Sequence, residues 1–169
     1  MTHKEQMLIT IEDEFRILKH LHTKIPEGKL EFKPAENMRT IFQLLRYLTW
    51  CGLATLKSFI EGDEDSPNFE FYKELSEAAQ NFKTENFNEA MDTQLNSIKM
   101  LFEKFNDEDL LTKNVMMPFG DKLPLGEAII KTTIKHMTGY KMQLFLYLKI
   151  LGVEVNTVNC WLGEDESEE

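Results

Sequence analysis

Cysteine is scarce in this chain: Cys51 and Cys160 are the only two among 169 residues. One pair cannot frame a small disulfide-held domain, and a chain of this length buries enough apolar surface to fold without one. No apolar run is clean enough for a membrane span, which takes about 18 uninterrupted apolar residues. The strongest stretch, 41–60, carries Arg46 and Lys57. The N-terminus shows no apolar signal core followed by small residues, so the expectation is a cytoplasmic protein. Basic charge is short as well, with 19 Lys and Arg against 29 Asp and Glu and a formal net charge of −10. That balance disfavours nucleic acid as a partner, because no basic stripe is present to meet phosphates. Missing too are a Walker loop, a dinucleotide fingerprint, a Gly-x-Ser-x-Gly elbow and a His-Glu-x-x-His zinc helix.

What is present is helical period. Over 4–21, Leu8, Ile11, Phe15 and Leu18 share one face of an amphipathic helix. Pro26, Gly28 and Pro34 then make 25–37 a loop. Thr40 followed three residues later by Gln43 has capping-box spacing and opens a second helix, predicted to run to about Gly62. The Asp65-Ser66-Pro67 turn ends it, and a shorter helix is predicted over 69–81. A third long helix is expected from Asn86, with Glu89 as its capping partner, to Phe105, its apolar face made by Phe87, Met91, Leu95, Ile98 and Phe102. The stretch 106–123 reads as a loop with a short extended piece. Pro124 and Gly152 bracket the fourth long helix, the one suiting a first turn and the other the position past the end. The pattern is all-α, a four-helix bundle with a short extra helix between helices two and three. It forms one domain over 1–162, followed by 163–169, whose five acidic residues read as a solvated, disordered tail.

The fourth helix carries an anomaly. His136, Tyr140, Gln143 and Tyr147 follow one another at spacings of four, three and four, so they line one face of a helix otherwise rich in Leu, Ile and Met. A polar line on an apolar helix suggests a site.

The segments Lys33-Pro34, Met38 to Leu48, His136 to Leu144 and Tyr147 to Val153 together resemble the DinB/YfiT family of metalloenzymes over most of the chain. That resemblance implies a four-helix bundle, often dimeric, with three histidines holding a divalent ion such as zinc or nickel. It also implies transferase, isomerase or related chemistry on small molecules, in some members with a thiol such as bacillithiol, mycothiol or glutathione. Carried over by position, Thr40 is the helix cap, His136 the first histidine of the last helix and Gln143 the glutamine after it. Tyr47 and Tyr140 stand where the other two histidines would be. A phenol must lose a proton to bind zinc or nickel, at a cost of about 4 kcal/mol at pH 7.

Three readings of Tyr47, His136 and Tyr140 stay open on the sequence. They could form a metal-free hydrogen-bonded cluster. They could keep zinc or nickel with help from Cys51, one turn beyond Tyr47. They could hold ferric iron, for which phenolate is a natural ligand. Cys51, Ala54 and Ser58 form a small-residue stripe that either packs helices closely or, with Gln143 and Tyr147, lines a pocket for a small-molecule ligand. Two functions follow. One is a metal-dependent transferase or hydrolase acting on a small molecule through an altered site. The other is a non-catalytic, metal-free bundle that binds a small ligand or acts as a homodimer.

Overall fold

Helix α1, His3–His22, lays Ile11, Phe15, Leu18 and Leu21 into the core. It starts on a capping box in which the Glu5 N–H donates to the Thr2 hydroxyl at 3.2 Å and the Thr2 N–H to the Glu5 carboxylate at 2.8 Å. The computed structural model describes residues 1–62, 65–66, 68–118 and 120–166. Pro67 of the expected turn and residues 167–169 of the expected tail lie outside them.

The second long helix is broken. Its start is as the spacing predicts, with the Gln43 N–H donating to the Thr40 hydroxyl at 3.1 Å and the Thr40 N–H to the Gln43 side chain at 3.0 Å. Helix α2 nevertheless ends at Leu48 and α3 begins at Cys51, spanning Ile41–Leu48 and Cys51–Glu61. At the joint Trp50 adopts φ −142° and ψ −20°, and the Thr49 hydroxyl donates to the Arg46 carbonyl at 2.8 Å. The groups freed by the break are met from helix α5, Phe87–Phe102, through buried Gln94. Its Nε2 donates to the Leu48 carbonyl at 2.8 Å, and its Oε1 accepts from the Leu53 N–H at 3.1 Å. A polar side chain thus occupies the core face that apolar spacing assigns to Leu95, which is only half-buried. Helix α5 also differs at its start. A 3-10 turn, Thr84–Asn86, leads into it, and Asn86 makes no side-chain cap.

Helix α4, Glu70–Ala78, with a 3-10 turn at Ala79–Asn81, is the short extra helix between helices two and three. Helix α6, Asp107–Thr112, then precedes two short antiparallel strands, β1, Asn114–Met116, and β2, Lys122–Pro124, with Val115 opposite Leu123. The last long helix runs as α7, Leu125–Ile129, a π turn at Ile130–Ile134, and α8, Lys135–Ile150. It stops at Gly152, whose φ of +79° is left-handed, where a side chain would be strained.

The bundle packs α1 against α5 and α8, and α3 against α5 and the π turn. Gly52 lets α3 approach: a Cβ there would stand 3.0 Å from Met137 Sδ and 3.3 Å from Gln94 Oε1. Beside it the Thr133 hydroxyl donates to the Gly52 carbonyl at 3.2 Å.

Helix α9, Thr157–Trp161, turns back onto α1. The first residues of the acidic segment follow it and are engaged rather than merely solvated. Asp165 pairs with Lys24 at 2.5 Å, the Asn159 amide donates to the Glu164 carbonyl at 2.9 Å, and the Asn156 amide donates to Glu166 at 2.8 Å. A reading from net charge misses them because their partners lie on other elements. Below this clamp, Lys141 and Glu14 form a buried ion pair at 2.9 Å, with the Thr138 hydroxyl donating to the other Glu14 oxygen at 2.9 Å. The Lys141 ammonium also lies 4.6 Å from the Trp161 ring centroid.

Candidate functional site

Helices α2 and α8 pack against each other and bring the tyrosines together. The Tyr47 and Tyr140 rings meet edge to face, their centroids 4.9 Å apart and their planes at 73°. Trp50 stands against the other side of Tyr47, also at 4.9 Å. His136 lies one turn before Tyr140, with ring centroids 6.3 Å apart. The polar stripe on the last helix therefore does face helix two.

At its far end the stripe has a different task. Tyr147 is buried, and its hydroxyl accepts from Gln143 Nε2 at 2.7 Å while donating to the Arg39 carbonyl at 3.0 Å. Gln143 and Tyr147 are thus occupied in holding Arg39, the residue before the Thr40 cap. Its backbone is fixed from α8 on one side and by the capping box on the other.

The Arg39 side chain is the element that the sequence reading missed. Its guanidinium carbon lies 4.5 Å from the Tyr47 ring centroid and 5.6 Å from that of Tyr140. Its positive charge is also felt at the Cys51 thiol. A signal was available: Arg39, Gln43, Arg46 and Trp50 are spaced four, three and four, the interval that marked the last helix. Arg39, Gln43, Arg46, Tyr47, Trp50 and Ser76 line a cavity of about 510 Å³. Of the expected site residues only Tyr47 borders it.

The small-residue stripe is packed into the bundle. Cys51, Ala54 and Ser58 are all buried, and the Ser58 hydroxyl accepts from the Asn68 N–H at 3.0 Å. A larger, mainly apolar cavity of about 680 Å³ lies elsewhere, between the start of α1, helix α6 and α7, with Met7, Leu110 and Ile130 among its walls.

Burial governs the titratable groups. It pushes the Tyr47 phenol well above its usual value; charge on Cys51 and Tyr140 adds to this, while Arg39 opposes it. Burial pushes the Cys51 thiol up to about 12, against backbone hydrogen bonds and the Arg39 charge. It lowers the His136 pKa, partly opposed by the backbone of Cys51, so the imidazole is neutral at pH 7. His136 Nδ1 is itself buried without a hydrogen-bond partner.

These groups can be tested against the divalent ion that the resemblance implies. His136 offers one suitable neutral donor. Tyr47 and Cys51 are held in their protonated, non-ligating forms. The Arg39 guanidinium adds a like charge: a divalent ion 5 Å away is repelled by about 2 kcal/mol in water and about 7 kcal/mol at an effective dielectric constant of 20. Among the described residues, no group of three or more His, Cys, Asp or Glu side chains could hold a metal ion. The donor set does not fit zinc or nickel.

No family profile matches this sequence, and no curated protein matches it by sequence. The fold has clear relatives. A DinB-like protein from Bacillus subtilis superposes with a TM-score of 0.64 at 16% identity, covering 89% of this chain and 94% of its own. A structure assigned to the DinB family from Exiguobacterium sibiricum superposes with a TM-score of 0.71 at 17% identity, covering 94% of this chain and 99% of its own. Among the described residues no helix is long and apolar enough to cross a membrane. With the broken second helix, the short extra helix and the polar stripe of α8 all in place, the chain is by fold a DinB-like four-helix bundle.

Proposed function

We propose that this chain works without a metal, as a bundle that binds a small molecule in the cavity beside Tyr47. The observation that carries this reading is Arg39, whose guanidinium lies against Tyr47 and Tyr140 and brings a fixed positive charge to the position where the related bundles would hold a cation. The protonated phenol and thiol point the same way. Replacement of two imidazoles by phenols and placement of a cation among them turn an electron-donating site into a hydrogen-bonding, cationic one. A cavity of this size falls in the range of small-molecule sites, about 300–1,000 Å³.

One observation favours the other reading, a metal-dependent transferase or hydrolase. His136 Nδ1 is a buried lone donor with no partner, as a metal ligand would be in the absence of its ion. Elemental analysis of untagged protein, purified without chelator and then titrated with zinc and nickel, separates the two. The expected result is no stoichiometric metal and no tight uptake. Near-stoichiometric zinc or nickel that is lost in His136→Ala would overturn the proposal and restore the metal-dependent reading.

A further inference from the structure

Arginine is the rare cation of this chain, with three residues against sixteen lysines. Arg16 is used up structurally, paired with Asp13 at 2.5 Å and donating to the Leu162 carbonyl at 2.5 Å. The other two, Arg39 and Arg46, border the same cavity. Among the described residues neither has a carboxylate within ion-pair distance, in a protein with 29 acidic side chains. Arg46 makes one long contact, from Nη1 to the Gln80 side chain at 3.5 Å. A guanidinium carries five N–H donors in a planar fork that matches carboxylate and phosphate. Two such forks facing one cavity, both left without an anion by an acidic protein, are an unmet demand for one.

The rest of the cavity agrees. Gln43 and Ser76 add neutral polar groups, and Tyr47 and Trp50 give it an aromatic wall. Arg39 is preorganised, its backbone held by Tyr147 and by the cap and its fork resting on two aromatic rings. Holding the fork in place beforehand reduces the ordering cost that a ligand must meet.

We infer that the cavity binds an oxyanion carried on a small planar or aromatic body, with Arg39 and Arg46 gripping the carboxylate or phosphate and Trp50 and Tyr47 flanking the ring. The inference rests on the small-molecule reading above and names the ligand class of that site. It explains why a bundle without a fitting metal set keeps a cationic cavity in an acidic chain.

The test uses the full chain with Trp161→Phe, so that Trp50 is the remaining tryptophan and its emission reports on the cavity. Phenyl phosphate, benzoate and benzamide are titrated at millimolar concentrations. Benzamide is the uncharged match for benzoate. The expected result is saturable quenching by at least one of the two anions, weakened by salt, with benzamide binding at least about tenfold more weakly. Tighter phenyl phosphate marks a phosphoester ligand, and tighter benzoate a carboxylate. Arg39→Gln and Arg46→Gln, each confirmed as folded by circular dichroism, are expected to weaken the bound anion at least about tenfold, with Arg39→Lys restoring part of the loss. Equal binding of benzoate and benzamide, absence of saturable binding by either anion, or indifference to both arginine substitutions would overturn the inference. Metal content measured on the same sample keeps the two proposals apart. Stoichiometric metal counts against the metal-free reading alone, and a failed anion titration on metal-free protein counts against the oxyanion alone.

Discussion

Replacing Gln94 with leucine should cost this protein much of its stability, because a single amide spans the break in the second long helix. Gln94 is 3% exposed, and among the described residues its two partners, the Leu48 carbonyl and the Leu53 N–H, have no backbone partner of their own. Leucine is close to glutamine in size, so the cavity term is small, and the cost is that of two backbone groups stranded in the core. At about 1–3 kcal/mol each, the expected loss is about 3 kcal/mol. For a domain of this length that lowers Tm by about 6–12 °C. Urea denaturation of wild type and Gln94→Leu gives the free-energy difference. Thr93→Val, on the exposed side of the same helix, serves as the control and should change stability by no more than about 0.5 kcal/mol. Gln94→Glu adds a diagnostic. Protonated, the new side chain can still donate to Leu48 and accept from Leu53; ionised, it is a buried charge facing a carbonyl. Its folded-state pKa is therefore raised, so its stability is retained at pH 4 and lost as pH rises towards 7. A Gln94→Leu loss below about 0.5 kcal/mol, or a Gln94→Glu variant that is no more stable in acid, would refute the bridge.

Three further outcomes are expected. Lys141→Met strands Glu14 in the core and should cost about 3–5 kcal/mol, whereas pairing it with Glu14→Gln recovers part of that loss; equal costs for the single and double variants in denaturant melts would contradict the buried pair. Burial lowers the pKa of His136, His22 and His20 below the ordinary 6.5, so their contribution to stability is fully present above pH 6.5 and is lost as pH falls, because the unfolded chain takes up protons first. His136→Phe should therefore flatten the stability slope between pH 7 and pH 5 by up to about 1.4 kcal/mol per pH unit, and an unchanged slope would count against the burial argument. With its thiol raised to about 12, Cys51 should react with a disulfide reagent at pH 8 far more slowly than a free model thiol, and rapidly once the protein is unfolded. Fast labelling of the folded protein would reopen a nucleophilic role.

What could be read from the sequence was local. The Thr40–Gln43 cap, the left-handed stop at Gly152 and the stripe from His136 to Tyr147 are set by residues within two turns of one another, and each stands where the spacing puts it. What escaped depends on distant partners. Gln94 makes its bonds 41 and 46 residues away, so nothing in its own helix marks it as a core residue. Arg39 lay within a stretch already noted for its resemblance, but its role comes from Tyr140 and Tyr147, about a hundred residues later. Tyr47 and Tyr140 could be paired from position alone. That Gln143 and Tyr147 would serve the backbone of Arg39 required the crossing of α8 over the start of α2. The small side chains of Cys51, Ala54 and Ser58 fit close packing and an open pocket equally well on spacing, and only the neighbouring helices decide which.

The π turn at Ile130–Ile134 makes the last long helix two screws joined out of phase. Each residue advances a helix by about 100°, so losing one residue from this turn and restoring α geometry would swing everything beyond it by about that angle relative to what comes before. Leu125, Ala128 and Ile129 lie before the turn and anchor the helix in the core; His136, Tyr140, Gln143 and Tyr147 all lie after it. Gain or loss of a single codon here would turn the whole polar face away from Tyr47 and Arg39 without altering any residue of the site. Chain length at this one turn thus acts as a heritable dial on the site, independent of the chemistry of its side chains.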